Sequence, residues 1–145
     1  MIPVLALVLL FAAPLPTSID QVKADPNPDR RARSAVDYAG VAEKNAEAAY
    51  GKGDMPAVTA ELKNVVASLK LAQETLAASG KSPGRNPGPY KYAEMHSREL
   101  VKRLGDLEQK MDASERDSIQ DAKEKVQELH DAWFEGIMGR KRSTQ

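Results

Sequence analysis

Few side chains in this sequence can do chemistry, and two histidines lead them. His96 and His130 are the only imidazoles, and there is no cysteine. Both fall on helical patterns, His96 four residues before Leu100 and His130 four after Val126. If the helices carrying them turn back at about residue 113, antiparallel positions at one level have numbers summing to about 226, as 96 and 130 do. The pair would then face across a helix boundary, with Met95, Glu99 and Glu135 within about a turn. Two imidazoles with a thioether or carboxylate suit copper or zinc. A periplasmic haem-binding bundle is the related alternative, although the first helix offers no Met or His as an axial ligand. The plainer expectation is two boundary histidines in contact with solvent, since no third ligand is marked.

Most other chemistries fail on motif. A carboxylate-bridged di-iron bundle needs Glu-x-x-His twice, and the sequence offers only a reversed His96-x-x-Glu99. There is no Gly-rich phosphate loop, no His-Glu-x-x-His and no Ser–His–Asp order. Lack of cysteine removes disulfides, thiolate metal sites, c-type haem attachment and Cys nucleophiles. The 21 basic and 21 acidic residues cancel, which leaves no overall basic field for nucleic acid. A non-enzymatic protein without a resident cofactor is therefore the leading expectation. Its partner would be another protein or a second copy of itself.

The elements that would position these residues are helices, because Ala, Leu, Glu, Lys and Val dominate. After the Asp25–Asp29 entry, with Asp29 as N-cap, a helix over Arg30–Tyr50 carries a heptad stripe of alanines at 32, 35, 39, 42, 46 and 49. Gly51–Asp54 stops it, with Gly51 suited to the left-handed cap, and restarts the chain. Met55–Ser79 follows the seam Val58, Leu62, Val65, Leu69, Ala72, Leu76. The stretch Gly80–Pro89 holds three prolines and three glycines and breaks the chain into two hairpins. A third helix, Tyr90–Met111, uses Ala93, Leu100, Leu104, Leu107 and Met111, with acid-before-base pairs such as Glu94–Arg98 and Glu99–Arg103 on a solvated face. Asp112–Glu115 has capping-box spacing. The fourth helix, Glu115–Met138, uses Ile119, Ala122, Val126, Leu129, Trp133 and Ile137.

Four helices with short links inside each hairpin make an all-α, antiparallel up-down-up-down four-helix bundle. That topology gathers Tyr38, Tyr90, Tyr92, Met95, Trp133 and Phe134, with Met138, toward the linker end. They would plug the open end or form a partner-docking surface.

Residues 2–16 are uncharged and apolar, too short to span a membrane and suited to a secretory signal. Val22-Lys23-Ala24 supplies small residues at the cleavage positions. The expected organisation is a signal peptide or uncleaved anchor over 1–24, a bundle over 25–139 and a basic frayed tail over 140–145. An exported protein of the periplasm or exterior follows, with no membrane span after cleavage.

Lys52-Gly53-Asp54, Asn86-Pro-Gly-Pro-Tyr-Lys91 and Gly136-Ile-Met-Gly139 resemble stretches of secreted helical proteins of the acidobacterial type. No activity is attached to those proteins, so the resemblance implies export and a helical fold only. Ala46–Val65, around Ala49-Tyr50-Gly51-Lys52-Gly53-Asp54, resembles the inner half of a tetratricopeptide repeat and implies a peptide-binding alternative. No second copy occurs at the 34-residue period of such arrays.

Overall fold

The computed structural model describes residues 14–143, and side chains through Gly139. The apolar run before Pro14 lies outside them. The element order is α1 (Ile19–Lys23), α2 (Pro28–Gly51), α3 (Met55–Ala78), α4 (Pro87–Lys110), a 3-10 turn at Ala113–Glu115, and α5 (Asp117–Ser143). Four long helices form a four-helix bundle.

Helix ends follow local chemistry, with shifts from the expected boundaries. The cap of α2 is Asn27, whose side chain accepts from the Arg30 N–H, so Pro28 and Asp29 fall in the first turn. Asp54 caps α3 as expected, accepting from the Ala57 N–H. The left-handed residue of the first turn is Gly53 (φ 72°), not Gly51, which closes α2. Pro87 and Pro89 lie in the first turn of α4, where missing N–H groups cost nothing, so that helix begins three residues before Tyr90. Asp112 makes no side-chain cap bond; its segment is a 3-10 turn. The backbone of α5 runs on to Ser143, and the side chains of the basic tail expected over 140–145 lie outside those described.

The alanine stripe is the tightest seam. Ala32, Ala35, Ala39, Ala42 and Ala46 are all buried, and α2 packs most extensively on α3. Side chains this small let the backbones approach, and the large Val58, Leu62, Val65, Leu69 and Leu76 of α3 fill the space beside them.

The two hairpins then pack side by side, with α2 against α4 and α3 against α5. Both of these pairs run parallel. Contacts between α2 and α4 keep a near-constant offset, as in Asp37 with Tyr92, Glu43 with Arg103, and Tyr50 with Lys110. Helices α3 and α4, consecutive in sequence, lie across the diagonal and barely touch. The connection Ser79–Asn86 therefore crosses the bundle end. Eight residues can reach about 26 Å, against a diagonal of roughly 14 Å. Tyr90 pins the crossing by donating its hydroxyl to the Lys81 carbonyl at 2.8 Å. Pro83 sits over Gly136, where an added Cβ would lie 3.0 Å from the proline ring.

Among the described residues before Asp25, α1 packs on α2. Ser18 caps α1, and Val22 enters the core at 1% exposure. Asp25 pairs with Arg30 at 2.8 Å, and its carbonyl accepts from Arg31. A chain starting at Asp25 would lack Val22 from its core. Val22, on the N-terminal side of the boundary expected at 24/25, is a core residue of the described structure. Among the described residues, no helix is long and apolar enough to cross a membrane.

Two stability predictions follow from this packing. Val22→Ala should lower the unfolding free energy by about 1–2 kcal/mol, while Leu15→Ala, at a side chain 61% exposed, should leave it within about 0.5 kcal/mol. Urea titration of both variants checks this. Gly105→Ala in α4, with open space around the new methyl, should gain about 0.5–1 kcal/mol from helix propensity. Gly136→Ala should fall at least about 1 kcal/mol below it because the Pro83 ring must yield.

Candidate functional site

Side chains that could act on a ligand sort onto two faces of α4. Lys91, Glu94, Met95 and Arg98 face α5, whereas Tyr92, His96, Glu99 and Arg103 face α2. The division follows from helix geometry, because positions two apart lie about 200° apart around the axis.

The two histidines fall on opposite sides of this division. His130 of α5 bonds through Nε2 to Glu94 Oε1 at 3.1 Å and through Nδ1 to Asp131 Oδ1 at 3.1 Å. His96 instead stacks on Tyr92, with ring centroids 4.1 Å apart, and lines a cleft between α2 and α4. The level sum found the right height but not the right azimuth, and the residue facing His130 is Glu94. The expected His96–His130 metal pair is therefore not assembled. Among the described residues, no group of three or more His, Asp or Glu side chains is arranged to hold a metal ion.

Glu94 also departs from the solvated face expected of it, being 8% exposed. Burial pushes its carboxyl up. Hydrogen bonds from Arg98 at 2.9 Å and from His130 outweigh that and hold it below the ordinary range. Glu94, Arg98, His130 and Asp131 form a closed polar cluster with its charges paired internally.

The six residues expected at a docking surface divide as well. Tyr38, Tyr90 and Trp133 are core residues. Tyr92 is half-buried and engaged: its hydroxyl donates to Asp37, and Arg33 lies 4.4 Å over its ring. Burial first, then Asp37, pushes the Tyr92 hydroxyl up to about 12. Only Met95 (59% exposed) and Phe134 (42%) remain open. They join Ile137 and Met138 around a cleft of about 270 Å³ between α4 and α5, rimmed by Lys91, Glu94 and Arg98. Phe134 stacks on His130, with centroids 6.1 Å apart, which ties the apolar cleft to the polar cluster. Phe134 stands one position past the seam residue Trp133 and Met95 two past Ala93, a signal the sequence does carry.

One buried group escaped sequence reasoning. Glu43 is 0% exposed, and neither carboxylate oxygen has a hydrogen-bond partner. Its nearest cation is Arg103, at 3.7 Å. It stands beside Ala42 on the α2 face that carries Val36 and Tyr50, both turned toward α4. Desolvation, reinforced by the Glu47 carboxyl one turn on, raises Glu43 to about 7 against the opposing pull of Arg103.

This shift has a definite sign. The unfolded chain ionises Glu43 near 4.5, whereas the folded chain holds the proton up to about 7. Between these values the unfolded state binds fewer protons, so Glu43 makes stability fall as pH rises and then level off. The loss is on the order of 2–3 kcal/mol. Glu43→Gln should remove this decline and be the more stable protein at pH 8. Chemical denaturation from pH 5 to pH 8 tests it; a decline of the same size in Glu43→Gln would contradict the assignment. Asp25, Glu94, Glu108 and Asp131, all held below their usual range, act in the opposite sense and lower down, where acid protonates them.

No protein-family profile matches the chain, and neither the curated proteins nor the solved structures yield a match to it.

Proposed function

We propose that the protein is a non-enzymatic interaction module of the cell envelope, exported by its apolar N-terminal run, and that it makes contact through the α4/α5 cleft at its linker end. The observation that carries the reading is the adjacency of exposed Met95 and Phe134 to half-buried Ile137 and Met138. Elsewhere the long helices bury their apolar seams. Covering these four side chains would remove further apolar surface from water at about 25 cal/mol per Å². The cleft walls are helices, and a rigid wall suits recognition. The neighbouring polar cluster pairs its charges with one another, which suits a structural part better than a catalytic one.

Photo-crosslinking in the native envelope fraction tests the reading. A benzophenone amino acid at position 134 or 95 should give discrete adducts, and one at exposed Asp121, in the turn-end half, should not. Equal labelling from both ends, or none from either, would overturn it.

A further inference from the structure

A cavity of about 360 Å³ opens at the linker end between α2 and α4, on the other side of α4 from the cleft around Met95 and Phe134. Its floor is apolar: Ala32 and Val36 of α2, Pro89 of α4, and Leu76, which reaches in from α3 across the bundle diagonal. Ala32, Val36 and Leu76 are core residues, each no more than 3% exposed. The alanine stripe places only a methyl group at position 32, and α3 and α4 barely touch, so the space between them is not filled by side chains.

The rim holds two charged side chains, Asp29 and Arg33, both exposed. Asp29 is paired with Lys81 of the crossing segment. Among the described residues, Arg33 has no carboxylate within ion-pair distance. Asp37, one turn on, accepts from the Tyr92 hydroxyl instead. The Arg33 guanidinium lies over the Tyr92 ring, 4.4 Å from its centroid, and His96 packs on the same ring with centroids 4.1 Å apart. Stacking engages the face of a guanidinium and leaves the N–H donors along its edge for a planar anion. Asp37 thus holds the ring, the ring holds the cation, and the cation stands at the mouth of an apolar cavity.

We infer that this cavity takes an aliphatic monocarboxylate, its acyl chain lying on Ala32, Val36, Leu76 and Pro89 and its carboxylate forked on the Arg33 guanidinium. A carboxylate matches that fork of donors bidentately, and at the exposed rim it keeps its contact with water, so no charge is buried. The volume falls at the small end of ligand sites, which span about 300–1,000 Å³, and suits one acyl chain of medium length. An alkylammonium fits less well, because the one carboxylate at the rim already holds Lys81. The site is independent of the α4/α5 contact proposed above.

Isothermal titration calorimetry of the full chain with decanoate tests the inference, with decanol as the probe that keeps the chain and lacks the charge. Decanoate should saturate the protein and bind at least about tenfold more tightly than decanol. Arg33→Gln should weaken decanoate at least about tenfold and leave decanol within about twofold. Lys63→Gln, on the α3/α5 side, removes the same charge and should leave both ligands within about twofold. Tyr92→Phe releases the ring from Asp37 and should weaken decanoate by a smaller factor than Arg33→Gln does. Ala32→Leu should fill the cavity and abolish binding of both ligands, with circular dichroism confirming that the variant is folded. The exposed Arg33 variant and the decanol comparison decide the matter even where Ala32→Leu does not fold. Equal affinity for decanoate and decanol, equal effects of the Arg33 and Lys63 variants, or no saturable binding would overturn the inference. None of these results bears on cross-linking from position 134, so the α4/α5 reading stands or falls separately.

Discussion

Close approach of α2 to α3 is the constraint on which the rest of the bundle depends. Alanines at 32, 35, 39, 42 and 46 contribute little apolar area, but they let the two backbones draw together. The hairpin's stability therefore comes from the Val and Leu residues of α3 and from the other two long helices. A helix so narrow has little side-chain bulk to hold off a third neighbour. Helix α4 settles against it, and whatever α2 carries on that flank goes inside. Val36 and Tyr50 suit that position. Glu43 does not, and its unbonded carboxyl marks where geometry outweighed desolvation.

The same economy explains the division of labour between interfaces. The α3/α5 side is built from Leu62, Val66 and Ala122, whereas the α2/α4 side is threaded with Arg33, Asp37, Tyr92 and Arg103. Apolar packing supplies cohesion on one side. Directional contacts on the other fix the relative height of two parallel helices, including the Tyr50 hydroxyl donating to the Lys110 carbonyl at 2.9 Å.

Helix seams were legible because heptad spacing survives any arrangement of neighbours. The seams of α3 and α5 are buried as their periodicity requires, with Ile137 half-exposed at the end of α5. What periodicity does not carry is azimuth between helices. The level rule brought residue 130 to the height of residues 94–96, yet could not say which side of α4 faces α5; Glu94 held that position and His96 the opposite one. Burial of Tyr38, Tyr90 and Trp133 was hidden for the same reason, since aromatics near one end are either core or surface depending on a rotation. The α1 segment was masked by its apolar surroundings: Val22 reads equally well as a cleavage-site residue and as a core residue.

The diagonal crossing of Ser79–Asn86 has a consequence for assembly. Nearly all contacts between the hairpins are made by helices that are not consecutive, and the segment joining them makes few of its own beyond Tyr90 with the Lys81 carbonyl, Lys81 with the Asp29 carboxylate and Pro83 on Gly136. An exchange in which the α4–α5 hairpin of one copy packs on the α2–α3 hairpin of another would preserve the whole inter-hairpin interface. The choice between closed monomer and swapped dimer therefore rests on the crossing itself: on its reach, on the positive φ of Gly80, and on the stiffness of Pro83. Shortening that segment below the span of the bundle diagonal would convert one assembly into the other without altering a single core residue.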